Sequence, residues 1–228
     1  MSTEPRLVEV RRNVLKQNDI MARDLRRRFQ AAGVFVVSLV SSPGSGKTAF
    51  LEKTLTLLGQ CCRVAALVGD LATDNDAARL ARARVPVKQI TTGTLCHLEA
   101  AMVQTAIQED AWDLGELDFL FIENVGNLVC PSSYDLGEDL RLVLLSVTEG
   151  EDKPLKYPTI FNTADVAIIT KMDLAEAVEF DSDAANGNIQ RVRPGMEVLR
   201  VSAKTGSGFD DWLEFLTSAR VSRLSLAN

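Results

Sequence analysis

Apolar residues recur at helical spacing over residues 5–32: Leu7, Val14, Leu15, Met21, Leu25 and Phe29. Arg11, Arg12, Lys16, Arg23, Arg26 and Arg27 fall on other faces. The pattern predicts an amphipathic helix with a solvated basic face, ended by Gly33. After Gly33 the pattern changes. The run VFVVSLV at 34–40 is continuous rather than alternating, as in a strand buried on both faces. Comparable runs at 64–68 (ending at Asp70), 85–90, 117–122, 166–170 and 198–202 predict five more strands. Helical segments are expected at 48–58, 75–84, 95–108 and 209–220. Strands alternating with helices imply an α/β fold: a mainly parallel sheet with right-handed crossovers and helices on both faces. The expected organisation is an N-terminal helix, residues 1–33, packed on one domain of residues 34–228. In such sheets ligands bind beyond the C-terminal strand ends.

The first strand runs into Ser41-Ser42-Pro43-Gly44-Ser45-Gly46-Lys47-Thr48-Ala49 and then a helix. Gly44 and Gly46 let the chain wrap a phosphate, and Pro43, Ser45 and Ala49 complete the loop around it. Lys47 would neutralise the β- and γ-oxygens, and the Thr48 hydroxyl would ligate Mg²⁺. Ser41 replaces the usual first glycine. Asp70 and Glu123 end the second and fourth strands, where a carboxylate can hold Mg²⁺ directly or through water. Asp76 is positioned to orient the attacking water, and Gly126 to bring its N–H to a γ-phosphate. Lys47 and Asp76 are therefore the candidate catalytic residues.

Thr170-Lys171-Met172-Asp173 follows the fifth strand and Ser202-Ala203-Lys204 the sixth. The Asp173 carboxylate can accept two hydrogen bonds from guanine that adenine cannot supply. The stems of Lys171 and Lys204 can lie on the base, and the Ala203 N–H can reach its carbonyl. GTP is thus expected over ATP. Thr170 stands where most GTPases carry asparagine, which predicts one structural tie fewer.

The 228 residues carry 25 Lys+Arg against 31 Asp+Glu, a net charge of −6. This sign argues against a nucleic-acid coat or a polybasic membrane binder. The N-terminus lacks a signal-peptide pattern and the apolar runs are too short to span a bilayer, so a cytoplasmic protein with free thiols is expected. One histidine and four cysteines fit neither a disulfide scaffold nor a His-rich tract. Cys96 and His97 are adjacent, at the expected start of a helix capped by Thr94, where the helix N-terminus would favour thiolate. Cys130 follows the fourth strand. Two thiolates and an imidazole suit nickel or zinc, with a fourth ligand still needed. Cys61 and Cys62 have no histidine partner and read as packing or surface thiols.

The strings SSPGSGKT, GDLATDNDAARL, TGTLCHLEA, FIENVGNLVCPSSYDLGE, TEGEDKPLKYP and TKMDL closely resemble the hydrogenase nickel-incorporation GTPase family, HypB. The sister urease accessory GTPases carry a Cys-Pro-His motif, absent here. The resemblance implies a P-loop GTPase of the nickel-chaperone type, binding GTP or GDP with Mg²⁺ and Ni²⁺ or Zn²⁺. It implies slow hydrolysis, a homodimer, a zinc-containing partner HypA and delivery to the large subunit of [NiFe]-hydrogenase. Cys96, His97 and Cys130 fall on the family's metal site at the dimer interface, which would supply the missing ligand. Lys153 and Lys156 fall where a lysine can reach the partner's nucleotide, and the binding set is taken to include Lys156. The Cys-rich or His-rich N-terminal tract of some members is absent, so nickel storage is not expected. The alternatives are a GTPase for another metallocentre such as urease, or a non-catalytic nickel- or zinc-binding protein.

Overall fold

The computed structural model describes residues 6–70, 79–109 and 112–226. In chain order the elements are helix α1 (Arg6–Ala32), β1 (Phe35–Ser41), α2 (Lys47–Leu58), β2 (Val64–Asp70) and β3 (Val87–Thr91). Then follow α3 (Ala100–Glu109), β4 (Phe119–Glu123), β5 (Leu140–Ser146), the short helices α4 (Lys153–Lys156) and α5 (Pro158–Thr163), and β6 (Val166–Thr170). The chain closes with α6 (Ser182–Val192), β7 (Glu197–Arg200) and α7 (Phe209–Leu226). The strands form one seven-stranded parallel sheet in the order β3-β2-β4-β1-β5-β6-β7.

β1 lies near the middle and is buried along its whole length, so both of its faces need apolar residues. Phe35, Val37 and Leu39 face α2 and α7, packing with Phe50, Leu51, Leu55, Phe209 and Trp212. Val36 faces α1 and α3, beside Leu25, Phe29 and Val103. Val40 joins a third cluster with Val143, Ile160, Phe161 and Ile189 under α5 and α6. This two-sided burial is why the run at 34–40 has no alternation.

The observed elements depart from expectation in several places, the unexpected short helices α4 and α5 among them. The seventh strand, β5, was not anticipated. Arg141 interrupts its apolar run, yet that residue is buried because Glu138 pairs with its guanidinium at 2.6 Å and the Tyr134 carbonyl accepts from it at 2.7 Å. Helix α6 was not anticipated either; Asn-Gly-Asn at its centre is a poor helix signal. The Asp181 carboxylate caps it by accepting from the N–H groups of Asp183 and Ala184, while Ala185 and Ile189 are buried. The helix expected at 75–84 falls largely outside the described residues, the remainder being one turn through Ala81–Ala83. Gly33, at φ 73°, ends α1 as expected. Among the described residues no helix is long and apolar enough to cross a membrane.

Candidate functional site

β1 enters the phosphate loop at Ser41, and α2 begins at Lys47 immediately after Gly46, whose φ of 89° requires a residue without a β-carbon. Beyond the C-terminal strand ends a cleft of about 560 Å³ is lined by Pro43, Gly44, Gly46, Lys47, Thr48, Ala49, Asp70, Arg79, Val125, Gly126 and Lys171. Asp70 and Glu123 are the last residues of β2 and β4, as expected. Thr48 Oγ1 donates to Glu123 Oε1 at 2.8 Å, and the buried Lys47 ammonium lies 3.7 Å from the same oxygen. One hydroxyl and two carboxylates at the phosphate loop form a hard-oxygen set of the kind Mg²⁺ takes. Asp76 lies outside the described residues.

The serine at position 41 has a local role. Its hydroxyl donates to the Ser42 carbonyl at 2.8 Å and accepts from the Ser45 hydroxyl, bracing the loop across its mouth. The expected loss of a tie at Thr170 is corrected. Thr170 Oγ1 donates to the Ser45 carbonyl at 2.6 Å, so a hydroxyl makes the link to the phosphate loop. Lys171 Nζ adds a second link, donating to the Gly44 carbonyl at 2.7 Å. Asp173 Oδ1 accepts from the Ser202 hydroxyl at 2.6 Å, and Lys204 Nζ lies 3.8 Å from Oδ2. Ala203 and Lys204 line a pocket that shares Ala49 and Arg79 with the main cleft. The residues expected to read the base thus lie beside that cleft.

The expected helical setting of Cys96 is also corrected. α3 begins at Ala100, so Cys96 and His97 lie in the preceding loop and gain nothing from a helix N-terminus. Thr94 does not cap α3, which begins six residues later; the Thr92 hydroxyl instead donates to the Leu95 carbonyl at 2.7 Å, closing a turn ahead of the helix. The hydrogen bond to Cys130, followed by burial, holds the Cys96 thiol above its ordinary pKa. Cys130 opens a short 3₁₀ turn, Cys130–Ser133, on the other side of the cluster. Ligand atoms of Cys96, His97 and Cys130 all lie within 4.8 Å of one another, with the two Sγ atoms 3.0 Å apart. Cys96 Sγ is 3.9 Å from His97 Nδ1. On its other side the imidazole has Glu99 Oε1 at 3.4 Å from Nε2, and the Tyr134 ring at 4.0 Å between centroids. Two sulfurs and one imidazole form a soft donor set suited to nickel or zinc.

The loop 123–130 joins the two sites, and sequence reasoning overlooked the residues that make it do so. The Asn124 side-chain oxygen accepts from the N–H groups of Leu98 and Val125 at 3.0 and 2.9 Å. Asn127 donates to the Cys96 carbonyl at 3.3 Å and accepts from Val129 N–H at 2.8 Å. Two asparagines flanking Val-Gly in the motif ENVGN were the available signal for such backbone anchoring. Tyr134 and Arg79 were missed as well. Gly126 packs directly on the phosphate loop, where a β-carbon would lie 3.0 Å from Pro43 Cα. Gly126→Ala should therefore displace one loop against the other. We expect it to lower stability by about 1–3 kcal/mol in denaturant titration and to weaken guanine-nucleotide binding in parallel.

Lys153 lines a second cleft of about 550 Å³ with Ser42, Pro43, Gly126 and Val129, and its ammonium lies 3.2 Å from Glu149. Lys156 points away, exposed and 2.7 Å from Asp152. Within one subunit Lys153 borders the phosphate loop; the role expected of Lys153 or Lys156 is a reach toward a partner's nucleotide. Cys61 and Cys62 follow α2 at the opposite edge of the sheet, their Sγ atoms 3.6 Å apart. Burial first, then the Cys61 contact, pushes the Cys62 thiol up to about 11.

A parallel sheet, a phosphate loop opening α2 and carboxylates at two strand ends define a P-loop nucleotide-binding protein, here with a thiol–imidazole cluster at its switch-like loop. The family model for the CobW/HypB/UreG nucleotide-binding domain matches residues 35–200. The hydrogenase maturation factor HypB of Azotobacter chroococcum is 47% identical over 223 residues, covering 97% of this chain and 72% of that one. The hydrogenase/urease maturation factor HypB of Helicobacter pylori is 43% identical, covering 92% and 86%. The crystal structure of Helicobacter pylori HypB in complex with nickel superposes with a TM-score of 0.85 at 41% identity, covering 91% of this chain and 97% of that one. The chain belongs to the HypB family of hydrogenase maturation factors.

Proposed function

We propose that the protein is a GTP-hydrolysing metallochaperone that binds nickel and supports its insertion into [NiFe]-hydrogenase, with nucleotide state controlling dimerisation. The observation that carries this reading is the single segment 123–130. Glu123 at its start touches Lys47 and Thr48, and Cys130 at its end joins Cys96 and His97. A γ-phosphate that drew Gly126 and Glu123 toward the phosphate loop would shift Asn124 and Asn127, and with them the loop holding Cys96 and His97.

In this reading Lys47 and the loop amides stabilise charge on the transferred phosphoryl group, while Asp76 orients the attacking water. Thr48, with Asp70 and Glu123 directly or through water, would hold magnesium, which would supply further charge neutralisation. Lys171, Asp173, Ser202, Ala203 and Lys204 hold guanine, and the Ser202 hydroxyl aims the Asp173 carboxylate. Rejection of adenine follows because Asp173 would face a base that cannot donate to it. Nickel is cargo, taken by Cys96, His97 and Cys130, with the ligand set completed by a second subunit. Zinc suits the same donors. The exposed Val129 beside Cys130, and Lys153 beside the phosphate loop, give that second subunit an apolar and a cationic contact. The partners proposed on family grounds are HypA and the hydrogenase large subunit.

A second reading, service to urease, is favoured by the name of the Helicobacter pylori relative, which couples hydrogenase and urease. Gene deletion with complementation separates the two. The hydrogenase reading expects deletion to abolish nickel-dependent hydrogenase activity, the intact gene to restore it and the Cys96→Ala gene to fail. Loss of urease with hydrogenase spared would contradict it.

A further inference from the structure

We infer that the N-terminal helix is part of the scaffold of the thiol centre, and that Asn18 is the positioning residue that clamps its two loops together. The inference rests on the reading of Cys96, His97 and Cys130 as metal ligands. Asn18 is buried in α1, an uncommon place for a primary amide, and both ends of its amide are used. Its oxygen accepts from Ala100 N–H at 2.9 Å, and its nitrogen donates to the Asp135 carbonyl at 2.8 Å. Ala100 opens α3, directly after the loop that carries Cys96 and His97. Asp135 follows the turn that starts at Cys130, next to the Tyr134 ring that packs on His97. One side chain thus ties together the two segments that supply the ligands. An amide offers a donor and an acceptor in one short group, whereas aspartate offers only acceptors and alanine neither.

The helix does not depend on Asn18 for its own seat. Arg26 donates to the Asp135 carboxylate at 2.7 Å and to the Glu138 carbonyl at 3.2 Å. Gly137, at φ 83°, approaches so closely that a β-carbon there would lie 2.9 Å from the Ala22 carbonyl oxygen. Ala22, Leu25 and Phe29 pack with Val103, Ala106 and Leu136. Removing the Asn18 amide therefore leaves α1 in place and cuts only the tie. A three-ligand site drawn from two loops loses affinity when the loops are free to separate, because the metal must then order them. None of the residues lining the nucleotide cleft comes from α1, so the effect should be confined to metal.

The test is a Ni²⁺ titration of the GDP-bound full chain against a chromophoric chelator, with GDP affinity and melting temperature measured on the same samples. Asn18→Ala is expected to weaken Ni²⁺ binding about tenfold, the lower end of what outer-shell partners of a metal site contribute. Its GDP affinity should stay at the wild-type value. Asn18→Asp should fall with it, since a carboxylate keeps the acceptor for Ala100 but repels the Asp135 carbonyl. Phe29→Leu, which loosens the same helix through packing, should lower the melting temperature and leave Ni²⁺ affinity unchanged. If Phe29→Leu lost Ni²⁺ as Asn18→Ala does, Asn18 would be acting through general stability and the clamp would be refuted. Wild-type Ni²⁺ affinity in either Asn18 variant, with Cys96→Ala impaired, would overturn the clamp and spare the ligand assignment. Wild-type affinity in Cys96→Ala would overturn the assignment and the clamp with it.

Discussion

Lys47→Ala is expected to lower single-turnover GTP hydrolysis by about 10²–10³-fold, the usual effect of deleting one preorganised group that stabilises developing charge. The basis is geometric. Lys47 is the first residue of α2, its side chain is buried at the floor of the cleft, and its ammonium lies 3.7 Å from Glu123. In the proposed mechanism that one point charge serves both the phosphates and the carboxylate at the end of β4. The alanine variant loses the charge and leaves Glu123 with Thr48 as its cleft-side partner. GDP binding should suffer less than binding of a GTP analogue, because the lysine serves the β- and γ-oxygens together. Lys47→Arg should not rescue turnover, since a planar fork does not occupy the volume of a compact ammonium. Turnover within threefold of wild type would remove Lys47 from the mechanism.

Cys130→Ala should abolish stoichiometric metal binding, with a loss beyond the ~10–100-fold typical of outer-shell changes. Cys96 and His97 sit side by side on one loop, and Cys130 is the proposed ligand that comes from the other. Its removal leaves only two donors from adjacent residues in each subunit and takes away the thiolate that closes the site from the second loop, including where a second subunit completes it. It also cuts the 3.0 Å contact through which Cys130 raises the Cys96 thiol. Cys61→Ala and Cys62→Ala are the matched controls. That pair lies at the far edge of the sheet, beyond the end of α2, and both variants should bind metal as wild type does. Elemental analysis after gel filtration, with chelator competition, reads the result. Equal metal content in Cys130→Ala and wild type would refute the assignment.

Much of this arrangement was legible from residues alone, for identifiable reasons. Strands buried on both faces announce themselves as uninterrupted apolar runs, which is why β1, β2, β4 and β6 were found within a few residues of their observed ends. β5 escaped because Arg141 breaks its run. Only the fold reveals that Glu138 and the Tyr134 carbonyl neutralise and satisfy that guanidinium. α6 escaped because Asn-Gly-Asn is a poor helix centre, and the Asp181 cap and two buried apolar residues outweigh it. In the site, the phosphate loop and strand-end carboxylates were readable because their chemistry depends on spacing close to β1, β2 and β4. What could not be read was contact between distant segments. The Thr170 link to Ser45 spans 125 residues, and the Asn18 links to Ala100 and Asp135 span 82 and 117. The helical setting expected for Cys96 failed for a local reason: the Thr92 hydroxyl closes a turn at Leu95, which delays α3 until Ala100.

The central claim is that nucleotide state and metal binding are coupled through the segment from Glu123 to Cys130. By linkage, any effect of nucleotide on metal affinity must be matched by an equal effect of metal on nucleotide affinity. The most direct measurement is Ni²⁺ affinity of the same preparation bound to GDP and to a non-hydrolysable GTP analogue, each with Mg²⁺. The account predicts affinities that differ by about 5–150-fold, the usual range of allosteric coupling, with the difference lost in Cys130→Ala. Identical Ni²⁺ affinities in the two nucleotide states of the wild-type protein would contradict it.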